Sequence, residues 1–143
     1  EYNIVEFPHE LLNHEVIEYD EESSFFYLAN FDDRDLIIDV INSGLYMGGG
    51  IVHYLYTYAF IKKDVKIKAF SKRLINGLYK QYRSVNKGDF KNYFSVYEGC
   101  GGFIYLSYNY SKLFSDEGIR NKFYYVLKNI KIWLSIIDFV CKQ

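Results

Sequence analysis

Proline occurs once in the 143 residues, as Pro8, so almost nothing interrupts long helices downstream. Cysteine is scarce as well. Cys100 and Cys141 cannot make a disulfide framework, and reduced thiols of a cytoplasm suit them best. No apolar run approaches the ~18 residues of a membrane span, and no signal peptide is visible. A Ser-His-Asp arrangement, a phosphate-binding P-loop and a dinucleotide fingerprint are all missing. Basic residues are nearly absent from the first 50 positions, which hold 12 acids and only Arg34, a net charge of −11.

What is present argues for a folded chain. Half the residues are apolar and a fifth are aromatic, which excludes a disordered sequence. The length fits one domain with a modest core. The first residue is Glu1 rather than Met, which reads as a processed chain or part of a longer protein. Residues 51–143 carry 16 bases and 6 acids, a net of +10. Two readings of this asymmetry stand. The acidic arm folds against the basic helices or other parts of a longer protein, or the basic surface attracts an acidic leader peptide or a membrane face. Nucleic acid is disfavoured, because the Lys and Arg residues are interleaved with helical apolar positions and no reading motif accompanies them.

Taken in order, Pro8 opens a short helix through Leu11 and Leu12. His9 and His14 lie five apart, which is not the i, i+4 spacing of a helical metal pair. Glu15 to Phe31 alternates loosely around the polar Asp20-Glu21-Glu22-Ser23-Ser24, the pattern of a β-hairpin. Asp32 to Asn42 places Leu36, Ile37, Val40 and Ile41 in a narrow stripe and predicts a helix capped by Asp32 or Asp33.

The central stretch is Leu45 to Phe60, LYMGGGIVHYLYTYAF, and its echo is Tyr97 to Lys112, YEGCGGFIYLSYNYSK. Aligning Gly49 and Gly50 with Gly101 and Gly102 gives an offset of 52 residues. Ile51 then falls on Phe103, Val52 on Ile104, Tyr56 on Tyr108 and Tyr58 on Tyr110. Both copies read as a glycine turn entering an aromatic-rich helix, over about Gly49–Ile61 and Gly101–Leu113. In the first, Ile51, Tyr54, Leu55 and Tyr58 share a face. Each copy precedes a second helix. Val65–Tyr82 has Ile67, Phe70, Leu74, Leu78 and Tyr82 on one side and lysines elsewhere. The last helix, from Asp116 to Val140, has Ser115 as its expected cap and an apolar face of Phe123, Val126, Leu127, Ile130, Trp133, Leu134, Ile137 and Val140. A fixed period of this size with two helices per unit marks a helical repeat.

These glycine turns resemble those of the lanthionine synthetase C-like family, the cyclases of lanthipeptide biosynthesis. The resemblance rests on Gly99-Cys100-Gly101-Gly102-Phe103, on Met47-Gly48-Gly49-Gly50-Ile51, where Met stands for the first glycine, and on Val16 to Ser23 with Phe25 to Leu28 upstream. The upstream run is most like the start of the cyclase domain in bifunctional class II synthetases. The resemblance covers roughly Val16 to Val140. It implies a mainly α fold, two helical-hairpin repeats of an α/α toroid, with a small N-terminal β-hairpin. Residues 1–44 would be the acidic lead-in, and 45–94 and 95–143 the two repeats.

The same resemblance implies a zinc-dependent parent enzyme. There Zn²⁺ holds the substrate cysteine as a thiolate, which adds to a dehydrated Ser or Thr. The family ligands lie in Cys-x-Gly and Cys-His-Gly turns of later repeats, and neither motif occurs here. No metal ligand and no cofactor is therefore assigned to this segment, although zinc is expected in the full-length family enzyme. The family's catalytic His and later Arg repeats are also missing. Its acid before the second glycine turn is replaced by Ser95, which leaves Glu98 as the one candidate general acid or base. A helix-capping role for Glu98 is the competing reading.

Gly49, Gly50, His53, Gly101, Gly102 and Tyr105 are the expected cavity-lining residues. Three successive glycines in a helix cost roughly 1 kcal/mol each against Ala, which points to close backbone packing. Alternatively, bare N–H groups there could meet an anion. The expected partners are a precursor peptide and either a second copy or the remainder of a longer synthetase. The expected location is cytoplasmic, either free or associated with a membrane face. Two other readings remain open: a non-catalytic helical module that binds peptides or proteins, and an (α/α) barrel acting on carbohydrate, for which Glu98 or Asp116 would have to pair with another acid.

Overall fold

A computed structural model describes the backbone of residues 17–20, 25–32, 35–40, 44–84, 95–97 and 99–141. Side chains are described within 44–83, 95–97, 99 and 101–130, apart from Met47. The fold is mainly α, and four helices form two helical hairpins. Helices α1 (Gly50–Lys62) and α2 (Val65–Ser84) make the first hairpin, and α3 (Cys100–Phe114) and α4 (Glu117–Cys141) the second.

Ahead of them lie strands β1 (Ile17–Asp20), β2 (Phe25–Asp32) and β3 (Asp35–Val40), antiparallel in the order β1-β2-β3. The helix predicted over Asp32–Asn42 is therefore corrected to a strand. Ile37, Ile38 and Val40 are β-branched and favour an extended backbone. A helix of that length is marginal alone, whereas β2 offers partners from Tyr27↔Val40 to Asp32↔Asp35. The expected helix near Pro8, the hairpin turn at 21–24, His9 and His14 lie outside the described residues.

The hairpins repeat each other down to their joints. Lys63 closes α1 in the left-handed region at φ 56°, and Ser115 closes α3 at φ 52°. The next residue caps the following helix. Asp64 Oδ1 accepts the Ile67 N–H at 3.0 Å, and Asp116 Oδ1 accepts the Ile119 N–H at 3.1 Å. The Asp64 N–H reaches the Ala59 carbonyl, and the Asp116 N–H reaches the Ser111 carbonyl. Every member of one set stands 52 residues from its counterpart, so the sequence offset is also a structural one. Ser115 is thus not the cap of the last helix. Ser115 ends α3, its backbone N–H on the Ser111 carbonyl, and Asp116 does the capping.

One core runs through all four helices. It joins Val52, Leu55, Tyr56 and Ala59 of α1 to Ile67, Phe70, Leu74, Ile75 and Leu78 of α2, Phe103, Leu106 and Tyr110 of α3, and Ile119, Val126 and Ile130 of α4. The α2 face matches its predicted stripe as far as Leu78. The α1 face does not: Leu55 is buried, but Ile51, Tyr54 and Tyr58 are only half-buried, and Val52, Tyr56 and Ala59 take their place. In α1 nearly every position is apolar or aromatic, so periodicity alone does not choose the face.

Buried serines Ser71, Ser107 and Ser111 bond to carbonyls of their own helices and leave room for close helix approach. Polar ties join the hairpins. Lys72 Nζ lies 2.6 Å from Asp116 Oδ2, Lys122 donates to Asn76 Oδ1, and Tyr110 Oη donates to the Lys68 carbonyl at 3.3 Å.

Candidate functional site

The two glycine turns come together at one end of the hairpins. Residues Leu45–Gly49 form a wide π turn that leads directly into α1. The Leu45 N–H donates to the Val96 carbonyl at 3.1 Å, and the Tyr46 N–H to the Tyr97 carbonyl at 3.0 Å. The Tyr46 and Tyr97 rings stack at 4.9 Å with 26° between their planes, and both are exposed. Backbone bonds and an aromatic stack therefore join the turns that the repeat pairs by sequence.

The glycines serve local geometry. Gly48 has φ 109°, a region open to glycine and strained for other residues. A Cβ on Gly50 would stand 2.7 Å from the Leu45 carbonyl oxygen, inside the same turn. The crowding expected between neighbouring helices is, at Gly50, crowding within one π turn.

The anion reading also loses donors. The Gly49 N–H goes to Gly44, the Gly50 N–H to Leu45 and Gly48, and the Gly102 N–H to Gly99. Gly49, Gly101 and Gly102 are buried and Gly50 is half-buried.

His53 and Tyr105 do come together. Their rings lie 5.6 Å apart at 39°, and His53 also meets Tyr56 edge-on at 5.1 Å. Partial burial of His53 holds its imidazole below the usual histidine range, which favours the neutral ring. Tyr56 is fully buried, and its phenol is pushed up by burial and further by Tyr105. Its hydroxyl has no hydrogen-bond partner. Sequence reasoning missed Tyr56 as a member of this cluster, although the 52-residue register had already paired it with Tyr108.

The acid candidates fare differently. Glu98 and the Cys100 side chain lie outside the described residues. Burial pushes Asp116 up, but the bond from Lys72 and the Ile119 and Gly118 N–H groups outweigh it and leave the carboxyl below its usual range. An ionised cap paired with lysine is unsuited to proton transfer. Among the described residues no three His, Cys, Asp or Glu side chains come together, so these residues offer no set that fits a zinc ion. No helix among them is long and apolar enough to cross a membrane.

Among the described residues, two grooves flank the core. One, of about 620 Å³, lies at the joint end between Ala59, Phe60, Leu113 and Phe114. The other, of about 810 Å³, is lined by Asn76, Tyr79, Lys80, Arg83 and Lys122.

Compared with protein-family models, curated proteins and solved structures, the chain gives no match.

Proposed function

We propose that this chain is part of the cyclase domain of a lanthipeptide synthetase, where its two hairpins form an arc of an α/α toroid and wall the cavity of ring closure. The parent reaction adds a cysteine thiol across the double bond of dehydroalanine or dehydrobutyrine. Sulfur bonds to the β-carbon and a proton goes to the α-carbon. This segment shapes the cavity with its glycine turns, His53 and Tyr105, and it contributes no zinc ligands of its own.

One observation carries the reading: among the described residues, the flank of the second hairpin is open where the same flank of the first is covered. Tyr56 is fully buried, yet its counterpart Tyr108 is 43 % exposed. His53 is half-buried against Tyr105, which is itself 40 % exposed. A hairpin stacked on α3 and α4 would cover Tyr105 and Tyr108 as the second hairpin covers His53 and Tyr56. An exposed aromatic face of this kind suits stacking against another helical hairpin.

The exposed Tyr105 and Tyr108 also favour a second reading, a non-catalytic module that binds a peptide or protein through exposed aromatic side chains. Fluorescence anisotropy with a lanthipeptide precursor and an unrelated acidic peptide of equal charge separates the two. Selective binding of the precursor supports the cyclase reading. Equal binding of both peptides supports the general module, and binding of neither overturns both.

A further inference from the structure

We infer that the tip of the first hairpin is a docking surface for anionic lipid bilayers. Phe60 and Ile61 in the last turn of α1, and Val65 at the start of α2, are 48 %, 68 % and 76 % exposed. Three large apolar side chains projecting within six residues are unusual for a water-facing turn. Lysines surround them. Lys62, Lys63 and Lys66 are exposed, and Lys68 lies 4.8 Å over the Phe114 ring beside the same groove. From Phe60 to Lys68 the chain carries four lysines and Asp64, a net of +3. Asp64 is engaged as the α2 cap.

The repeat shows that this composition is not required by the joint. The second hairpin makes the same turn with the same cap geometry, and it places Ser115 where the first has Lys63, Glu117 where the first has Val65, and Gly118 where the first has Lys66. Helix closure therefore leaves these positions free. At these positions the first tip has Lys63, Val65 and Lys66 and the second Ser115, Glu117 and Gly118, while upstream Phe60, Ile61 and Lys62 correspond to Lys112, Leu113 and Phe114.

Exposed apolar side chains in a ring of lysines match the boundary between headgroups and acyl chains of an anionic leaflet. The apolar groups enter the boundary and the ammonium groups meet phosphate and carboxylate headgroups. The absence of a spanning helix among the described residues is consistent with contact at the surface. A soluble acidic peptide would match the lysines but would leave Phe60, Ile61 and Val65 without an apolar partner. This surface does not depend on the cyclase reading.

The test is co-sedimentation of the whole chain with vesicles of phosphatidylcholine alone and with about 30 % phosphatidylserine, at low and high salt. Binding is expected only to the anionic vesicles, weakened at least tenfold at high salt. A Phe60→Ser, Ile61→Ser, Val65→Ser triple variant and a Lys62→Glu, Lys63→Glu, Lys66→Glu variant should each lose at least tenfold. A Lys80→Glu, Arg83→Glu control, in the other groove, should lose less than threefold. Circular dichroism checks that each variant keeps its helices. If one does not, the milder Ile61→Ser and Lys63→Ala variants must still show the loss. Free glycerophosphoserine in excess should not compete, which separates a bilayer from an isolated headgroup. Equal binding to neutral vesicles, no vesicle binding, a control that loses as much as the tip variants, or capture of a polyglutamate peptide in place of vesicles would overturn the inference.

Discussion

Tyr56 and Tyr108 occupy the same place in successive hairpins, and one is sealed in the core while the other faces out. Their sequence neighbourhoods do not explain the difference. It arises because α3 and α4 pack on one side of α1 and α2, and no described element packs on the matching side of α3 and α4.

The open flank predicts self-association. The chain should form dimers or larger species at micromolar concentration by sedimentation velocity. Because buried tyrosines often dominate interfaces, Tyr108→Glu should weaken this about tenfold or more. A chain that stays monomeric at high concentration, and binds no dye specific for apolar surface, would argue against it.

Gly48→Ala forces a positive φ on a residue with a Cβ, and Gly50→Ala drives that atom toward the Leu45 carbonyl. Each should lower stability by about 1–2 kcal/mol. Urea unfolding of the two variants measures this. Gly118→Ala is the comparison. Its Cβ would meet only the Asp116 carboxyl at 3.4 Å, so the loss should be much smaller.

Asp64→Ala and Asp116→Ala each remove a cap, which should cost about 1 kcal/mol. Asp116→Ala should cost more, because it also strands Lys72. The folded-state pKa of Asp116 is depressed, so its contribution is present above the unfolded aspartate pKa and is lost as pH falls through the folded value. Melting temperatures of wild type and Asp116→Asn should therefore converge in acid. Curves that stay parallel down to strongly acidic pH would contradict the assignment.

His53 has its folded pKa lowered by burial, so protonation opposes folding. Its favourable state holds above the unfolded histidine pKa and fades as pH drops below it. An NMR titration should show its ring resonances moving at lower pH than those of a free histidine. A midpoint at or above the free value would refute the burial assigned to it.

Tyr56→Phe removes a buried hydroxyl with no partner, and it should leave stability unchanged or raise it by up to about 1 kcal/mol. Tyr110→Phe removes the bond to the Lys68 carbonyl and should lower it by about 0.5–1.5 kcal/mol. Calorimetry of the two variants side by side tests the opposite signs.

Much of the architecture is legible in the chain itself. The 52-residue offset can be read from paired glycines and tyrosines, and it holds in the joints, in the caps and in core pairs such as Ile67 and Ile119, but not at Tyr56 and Tyr108. The stripe of α2 is also legible, because its lysines mark the wet side. The helix predicted over Asp32–Asn42 failed because its apolar stripe fits two periods over so short a span. Pairing with β2 then decided the outcome. The α1 face failed for the opposite reason, since a helix apolar nearly all round carries no signal of its own orientation.

Local chemistry thus determined what depends on neighbours in sequence: helix lengths, the aspartate caps and the glycine at the positive φ. Tertiary structure alone decided which aromatic residues are buried, that His53 meets Tyr105, that Asp116 pairs with Lys72, and that one flank stays open. Those outcomes depend on what a second hairpin brings alongside. Contacts between residues some 50 positions apart are fixed by how whole helices stack, which no local pattern encodes.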